Sequence, residues 1–424
     1  MCSLTNNVWQ ETKYTVRDLK NLLNITFDDI LKSQKIQGSV IRKTPMEVSA
    51  TFSQITGSKV YLKSECLQKT GSFKVRGAYA KIATLSKAEK KKGVIAASAG
   101  NHGQGVAFAS ALEKIPCTIV MPVTASPAKV AATRSYGANV VLSGTIYDES
   151  WSKALELSQK TGAQIVHAFD DEKVIAAQGV IGLEILESLP DVDEIYLPIG
   201  GGGLAAGVLK AVKTKKPKVK VIGVQSAAFP AMKKSVDSGK LESVKGQMTI
   251  ADGISVKKPG EFTFKIINEL IDDIVLVDDS QIVKAMFLLM ERTKMVVEPA
   301  GAVSLAYLLD KKPAKGKKVV PILSGGNVDM YLLGQIVAKG LAEMGRMVKI
   351  FIVLTDKPGA LKEVVDVISA LSVNIVEVVH DRLSTSIPAG TAGVTLSLET
   401  ENEKHAEKLI NYLKEKHIQF KIMT

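Results

Sequence analysis

Cysteine is scarce in this chain. Three occur among 424 residues, Cys2, Cys66 and Cys117, without paired or metal-like spacing, which argues against a disulfide framework or a zinc site. No metal site is expected. No apolar run reaches the ~18 uninterrupted residues that a membrane span needs, and Met1 to Gln10 lacks the hydrophobic core of a secretory signal. The expected compartment is therefore the cytoplasm, with no membrane partner. Acidic residues are in deficit, 43 against 55 basic ones, for a net charge of +12. Clustered Lys and Arg can release counterions from nucleic-acid phosphates. The lysine-rich stretches Lys87 to Lys92, Lys210 to Lys220 and Lys311 to Lys318, however, lack interleaved aromatics and fall at helix ends and in polar connections, as solvated surface does. No nucleic-acid partner is expected.

What is present has the balance of a globular enzyme, 46% hydrophobic and 23% charged in 45.4 kDa. That length exceeds one ordinary core, so two or three packing units are expected. From residue 59 short β-branched runs alternate with helical segments: Lys59 to Lys63, Gly93 to Ala97, Cys117 to Met121, Asn139 to Leu142, Gln164 to His167, Glu194 to Ile199, Val219 to Val224 and Val319 to Leu323. Such alternation predicts an α/β fold of parallel sheets covered by helices, with ligands outside the carboxyl ends of the strands.

Four of the loops at those ends carry unusual chemistry. The first contains Ser72-Phe73-Lys74-Val75-Arg76-Gly77. With Ser72 as N-cap, Lys74 falls in the first helical turn, where the helix dipole disfavours an ammonium ion and leaves the neutral amine that imine formation requires. A solvated surface lysine is the alternative. The second, Ser98-Ala99-Gly100-Asn101-His102-Gly103-Gln104-Gly105, starts a helix with small residues, leaving N–H groups for a substrate carboxylate and an Asn101 amide able to donate to a phenolate oxygen. His102 reads as an orienting group rather than a general base. The third is Gly200-Gly201-Gly202-Gly203-Leu204. Gly200-x-Gly202-x-x-Ala205 satisfies the dinucleotide fingerprint, which keeps a dehydrogenase in competition, but Val221 to Ser226 offers no acid for a ribose. A phosphate cup fits better, and a turn that merely lets helix and strand pack closely is the bland reading. The fourth, Ser324-Gly325-Gly326-Asn327, offers the Ser324 hydroxyl as a neutral partner for a pyridine nitrogen, which favours β-elimination over transamination. A Schiff-base lysine and a loop of bare N–H groups together suit pyridoxal 5'-phosphate. Glu298, in Val296 to Gly301, serves either the pocket or the scaffold.

In their order and spacing these four motifs resemble the fold-type II pyridoxal-phosphate enzymes of the serine/threonine dehydratase group, over roughly residues 20 to 340. The resemblance implies a two-subdomain, tryptophan synthase β-like catalytic domain over 1–340, with a smaller subdomain at roughly 60–165 inserted in the larger, and a homotetramer. It implies that Lys74 holds the cofactor covalently, Phe73 packs near its ring and Asn101 binds the ring hydroxyl oxygen. Gly200, Gly201, Gly202, Gly203 and Leu204 would bind the phosphate, Ser324 would meet the ring nitrogen, and Ser98, Ala99, Gly100, Asn101 and His102 would face the substrate. Related racemases carry a second serine where this chain has Ala99, and a metal-binding glutamate near Gln225, so dehydration is expected over racemisation. The implied reaction converts L-threonine to 2-oxobutanoate and ammonia, and L-serine to pyruvate, in isoleucine biosynthesis. Lys74 would take the α proton. A serine racemase or hydroxyaspartate dehydratase of the same group and a non-catalytic amino-acid sensor are the alternatives.

Beyond Gly340 the pattern changes. Val348, Ile350, Ile352 and Leu354 alternate as a strand, Asp356 to Gly359 turns the chain, and Leu361, Val364, Val365, Ile368 and Leu371 fall at helical spacing. Strands at Asn374 to His380 and Thr391 to Leu398, a helix through Ala406, Leu409, Ile410 and Leu413, and a strand from Ile418 to Met423 complete a βαββαβ, ferredoxin-like unit. This tail, 347–424 after a linker at 341–346, resembles the ACT regulatory domain. The resemblance implies an isoleucine or valine effector near Asp356, Gly359, Ala360, Leu361 and Asn374, between paired domains of neighbouring subunits. A domain that only assembles oligomers is the alternative.

Overall fold

The computed structural model describes residues 25–311 and 313–423. Cys2 and the Met1 to Gln10 segment lie outside the described residues, as does Lys312 of the third lysine-rich stretch. The chain forms two compact units, Met1–Asp329 and Met330–Thr424.

The first unit contains two sheets. β1 (Met46–Val48), β2 (Lys59–Ser64), β7 (Glu194–Pro198), β8 (Lys220–Ser226), β9 (Asp273–Val277) and β10 (Lys318–Leu323) form one, in the order β1-β2-β10-β7-β8-β9. Its strands are parallel except for β1, which pairs antiparallel with β2 at one edge. β3 (Val94–Ala97), β4 (Cys117–Met121), β5 (Asn139–Leu142) and β6 (Gln164–Ile165) form the other, all parallel, in the order β5-β4-β3-β6. β3 and β7 are buried along their whole length because helices cover both faces of a parallel sheet. The helices that matter to the site are α1 (Lys74–Ala83), α2 (Asn101–Glu113), α3 (Pro127–Ser135), α4 (Glu172–Ser188), α5 (Gly203–Lys215), α6 (Glu261–Leu270) and α7 (Pro299–Asp310).

Three local features depart from the expectations. β1 and β9 were not anticipated: they are the two edge strands of the larger sheet, β1 with no residue buried and β9 with only Ile274 and Val277 buried, so their sequences carry a weak core signal. β6 stops at Ile165 instead of His167, because His167 turns back and its Nδ1 accepts the N–H groups of Phe169 (3.3 Å) and Asp170 (2.8 Å). Ser72 is not the N-cap of α1. It is extended (φ −161°, ψ 161°) and bridges Gly325, and the helix begins after Phe73 without a side-chain cap.

The second unit opens with α8 (Met330–Glu343) and continues as β11 (Met347–Thr355), α9 (Ala360–Ser369), β12 (Asn374–Asp381), β13 (Thr391–Glu399), α10 (Glu403–Glu415) and β14 (Phe420–Met423). Its sheet is antiparallel in the order β12-β13-β11-β14, the ferredoxin-like arrangement. Alternate strand residues, Ile350, Ile352, Val394, Leu396 and Leu398, share a core with Val364, Ile368, Leu409 and Leu413 of the two helices.

Candidate active site

Lys74 projects from the first turn of α1 at the carboxyl end of β2. The chain reaches it through two left-handed residues, Thr70 (φ 64°) and Gly71 (φ 73°). A Cβ on Gly71 would come within 2.3 Å of Asn327 Oδ1, so only glycine fits there. The loop is pinned to the end of β10: the Phe73 N–H donates to the Ser324 carbonyl (3.1 Å), the Gly326 N–H to the Gly71 carbonyl (2.8 Å), and Asn327 Nδ2 to the Thr70 carbonyl (2.7 Å). The far side of α1 is held by a buried ionic frame. Arg76 donates from Nε and Nη2 to Glu65 (both 2.8 Å) and from Nη1 and Nη2 to Glu184 (2.8 and 2.9 Å), and Lys63 Nζ donates to Glu184 (2.5 Å). Two cations face two carboxylates, so the frame is neutral and its members are bidentate where geometry allows. Residues two apart on a helix point to nearly opposite sides, so fixing Arg76 fixes the direction of Lys74.

Lys74 Nζ donates to the Ala168 carbonyl (3.0 Å) and lies 5.2 Å from the Phe73 ring centroid. Burial pulls its ammonium form down to about 8, against the opposite pull of the Glu298 carboxylate. The neutral amine expected from the helix dipole is thus favoured chiefly by loss of water.

Asn101 opens α2 beside it. Its Nδ2 donates to Glu298 Oε1 (2.6 Å) and its Oδ1 accepts from Asn327 Nδ2 (2.8 Å). Glu298 is 6% exposed, and burial pushes its carboxyl up to about 7, with Asp252 adding to the shift. Ser98 Oγ accepts the Gly100 N–H (3.2 Å), and a Cβ on Gly100 would meet nothing within 4 Å, so this loop borders open space. His102 is buried, with Nε2 2.8 Å from the Val166 carbonyl and burial driving its pKa down to about 3.

At the end of β7 the tetraglycine turn enters α5 through Gly202 (φ 100°). Two of the turn's carbonyl groups are occupied: Gly201 accepts from Thr263 Oγ1 (2.6 Å) and from the Gly260 N–H (3.3 Å), and Gly202 from the Ala206 N–H (2.8 Å). Its N–H groups are not. From Gly201 to Leu204, none donates to another group of the described residues, although all four residues are buried. Side chains are excluded there, since a Cβ on Gly201 would fall 2.4 Å from the Phe169 ring and one on Gly203 2.9 Å from Phe169 Cα. Buried N–H groups without acceptors are rare in folded chains and mark a place for an anion. Thr70 Oγ1, Ser72 Oγ and His102 Nδ1 are further buried polar atoms without partners around Lys74.

Sequence reasoning passed over the segment that ties these parts together. Val166 holds His102, Ala168 holds Lys74 Nζ, and Phe169 lies on the tetraglycine turn. Asp170 accepts the first N–H groups of α6 (2.9 to 3.1 Å), and Asp171 caps α4. His167 braces it between Trp151 and Phe169, both at edge-to-face angles. Most of these bonds use backbone atoms, so only the His167-Ala168-Phe169-Asp170-Asp171 cluster after a strand could have drawn notice. Gln225, where relatives place a metal ligand, is buried and bonded through Oε1 to the Lys233 N–H (2.8 Å).

Residues 39–325 match the family described as pyridoxal-phosphate dependent enzyme, and residues 344–417 match the ACT domain. The chain belongs to the pyridoxal-phosphate dependent enzyme family. Its lysine amine and its cup of unbonded, buried N–H groups fit that cofactor, and the dehydrogenase alternative falls away. The chain is 48% identical to an L-threonine ammonia-lyase of Thermotoga maritima, over 94% of this chain and all of that one, and 44% identical to the L-threonine dehydratase catabolic TdcB of Escherichia coli, over 74% and 96%. Among solved structures it is similar to maize serine racemase (TM-score 0.71, 34% identity, 75% of this chain and 98% of that one) and to the processed form of threonine deaminase isoform 2 from Solanum lycopersicum (TM-score 0.70, 37% identity, 78% and 95%).

The ACT unit carries the other expected residues. Asp356 accepts from Arg382 Nε (3.0 Å), Gly359 (φ 90°) starts α9, Ala360 and Leu361 form its first turn, and Asn374 Nδ2 donates to Glu399 (3.0 Å). Asn374 is level with Met347 through Glu399, whereas Asp356 follows Thr355. Within one copy the unit therefore does not bring Asn374 together with Asp356 to Leu361: nine residues of β11 separate them, about 30 Å of strand.

Proposed function

We propose that this chain is a threonine ammonia-lyase that converts L-threonine to 2-oxobutanoate and ammonia, accepts L-serine to give pyruvate, and is regulated through its ACT unit. The relatives named for this activity support it, and the observation that carries it is the half-buried amine of Lys74, poised near neutrality close to unsatisfied N–H groups.

Bound pyridoxal phosphate supplies an aldehyde that condenses with amines and a ring that accepts electrons from the substrate α carbon. Lys74 would hold it covalently and its free amine would take the α proton on Nζ, with the Ala168 carbonyl orienting that nitrogen. Gly200 to Gly203 and Leu204 would hold the phosphate, Phe73 would pack near the ring, Asn101 would bind the ring oxygen and Ser324 would meet the ring nitrogen. The Ser98 to His102 loop receives the substrate carboxylate. The reaction loses water from the β carbon and regains it when the enamine product hydrolyses, so the net change is loss of ammonia. Ala99 offers no proton on the opposite face, which disfavours racemisation.

Regulation by isoleucine or valine is assigned to residues 347–424, with Asn374 contributed by a second copy to the Asp356 to Leu361 turn, in a homotetramer of cytoplasmic enzyme serving isoleucine formation. The test combines ammonia and 2-oxoacid assays on threonine and serine with borohydride reduction of the cofactor complex. We expect a yellow protein labelled at Lys74 and 2-oxobutanoate from threonine. A colourless protein, or a Lys74→Ala variant active at the native rate, overturns the reading. Removing residues 345–424 should leave turnover and abolish the isoleucine response.

A further inference from the structure

Lys129 and Asp252 meet between the two sheets of the first unit. α3 follows β4, at the carboxyl end of the four-stranded sheet, and carries Lys129 in its first turn, where the Ser126 hydroxyl caps the Lys129 N–H. Lys129 Nζ lies 2.7 Å from Asp252 Oδ2. Asp252 stands on the short turn Asp252–Ile254, which belongs to the six-stranded half and is wedged against the site. A Cβ on Gly200 would come 3.0 Å from Ile254 Cα, and one on Gly253 would come 2.9 Å from Ala300 Cβ, at the start of the helix that follows Glu298. The run before the turn is anchored too: Asp279 accepts from Thr249 Oγ1 (2.5 Å) and from the Ile250 N–H (3.0 Å). One partner is thus fixed to each half, beside Glu298, which feels both charges.

We propose that the Lys129–Asp252 pair is a positioning clasp that holds the small-sheet half against the Asp252–Ile254 turn and sets how often the site opens to solvent. This inference rests on the reading of Lys74 as the cofactor lysine. The two sets of ion pairs differ in kind: the Arg76 frame is sealed from water, whereas side-chain exposure is 26% for Lys129 and 66% for Asp252. An exposed pair gains little from Coulomb attraction and loses more of it in salt. Such a contact biases an equilibrium without locking it, as suits a contact that parts to admit substrate and release product.

The experiment uses holoenzyme loaded with pyridoxal phosphate and follows removal of the cofactor by hydroxylamine, through its absorbance, at low and high salt. The proteins compared are the intact chain, Lys129→Met, Asp252→Asn, the double variant, and the swap Lys129→Asp with Asp252→Lys. We expect each single variant to release cofactor about two- to five-fold faster at low salt, the double to be no faster than either single, and the swap to restore the slow rate. Salt should bring the intact chain toward the singles and leave them unmoved, and KM for threonine should rise with kcat kept. A coloured preparation whose release rate ignores both residues, or a swap as fast as the singles, overturns the clasp alone. A preparation that takes up no cofactor overturns the Lys74 reading and the clasp with it.

Discussion

Gly202 and Gly359 hold the same position, the residue before a helix, with φ +100° and +90°, and their surroundings could hardly differ more. A Cβ on Gly202 would press within 2.7 Å of Thr263 Cβ and 2.8 Å of Met232 Cε, whereas one on Gly359 would meet nothing within 4 Å. The first turn is enclosed by its own chain. The second is bare within the ACT unit. The walled turn belongs to a unit where charges are buried in pairs; the open one belongs to a small unit with a single apolar core.

The sharpest way to break this contrast is at the buried frame. Arg76→Met leaves the Glu65 and Glu184 carboxylates buried without their main cation and should cost about 3–5 kcal/mol, measured by chemical unfolding of the full chain. Restoring stability by adding Glu65→Gln and Glu184→Gln would confirm that unpaired charge, not lost volume, is the cause. Next in size is Gly202→Ala. Backbone strain of about 1–2 kcal/mol, joined by the overlaps with Thr263 and Met232, should weaken pyridoxal phosphate binding on the order of tenfold, read by titrating absorbance. An affinity unchanged in this variant would mean the cup is not where the phosphate rests.

A third outcome concerns pH. The Lys74 amine is lowered from 10.5 to about 8, so cofactor capture by the apoprotein should rise as pH climbs through about 8 and level off above it. In Glu298→Gln the carboxylate that supports the ammonium is gone, so that midpoint should move lower still. A midpoint near 10 in the native chain would contradict the burial of the amine. The smallest effect belongs to the open turn: Gly359→Ala should destabilise the ACT unit by about 1 kcal/mol in thermal unfolding and leave ammonia release untouched.

Much of this was legible in the residues themselves. Strands β2 to β8 and β10 announce themselves as β-branched runs between helical stretches, and the four loops stand out because glycine, serine and asparagine cluster where strands end. The alternation of Val348, Ile350, Ile352 and Leu354 marks β11 for the same reason. What escaped notice did so on physical grounds. Lys63, Glu65, Arg76 and Glu184 look like any surface charges until the fold brings them together across more than a hundred positions. Ala168 acts through its carbonyl, and the identity of a side chain says nothing of where its backbone oxygen points. Glu298 was noticed but not assigned, because its link to Asn101 spans 197 positions. Ser72 looked like a cap, and its bridge to Gly325 took precedence.

β10 lies between β2 and β7, in the middle of its sheet, although it is the last strand of its unit to be synthesised. The loop that presents Lys74 rests on the four residues that follow that strand. On the ribosome, therefore, the loop that presents the reactive amine is made early and waits for that last support while some 250 more positions are translated, and both flanking strands wait with open edges for a neighbour that arrives late. Competence for chemistry is conferred all at once, when the sheet closes around its final member.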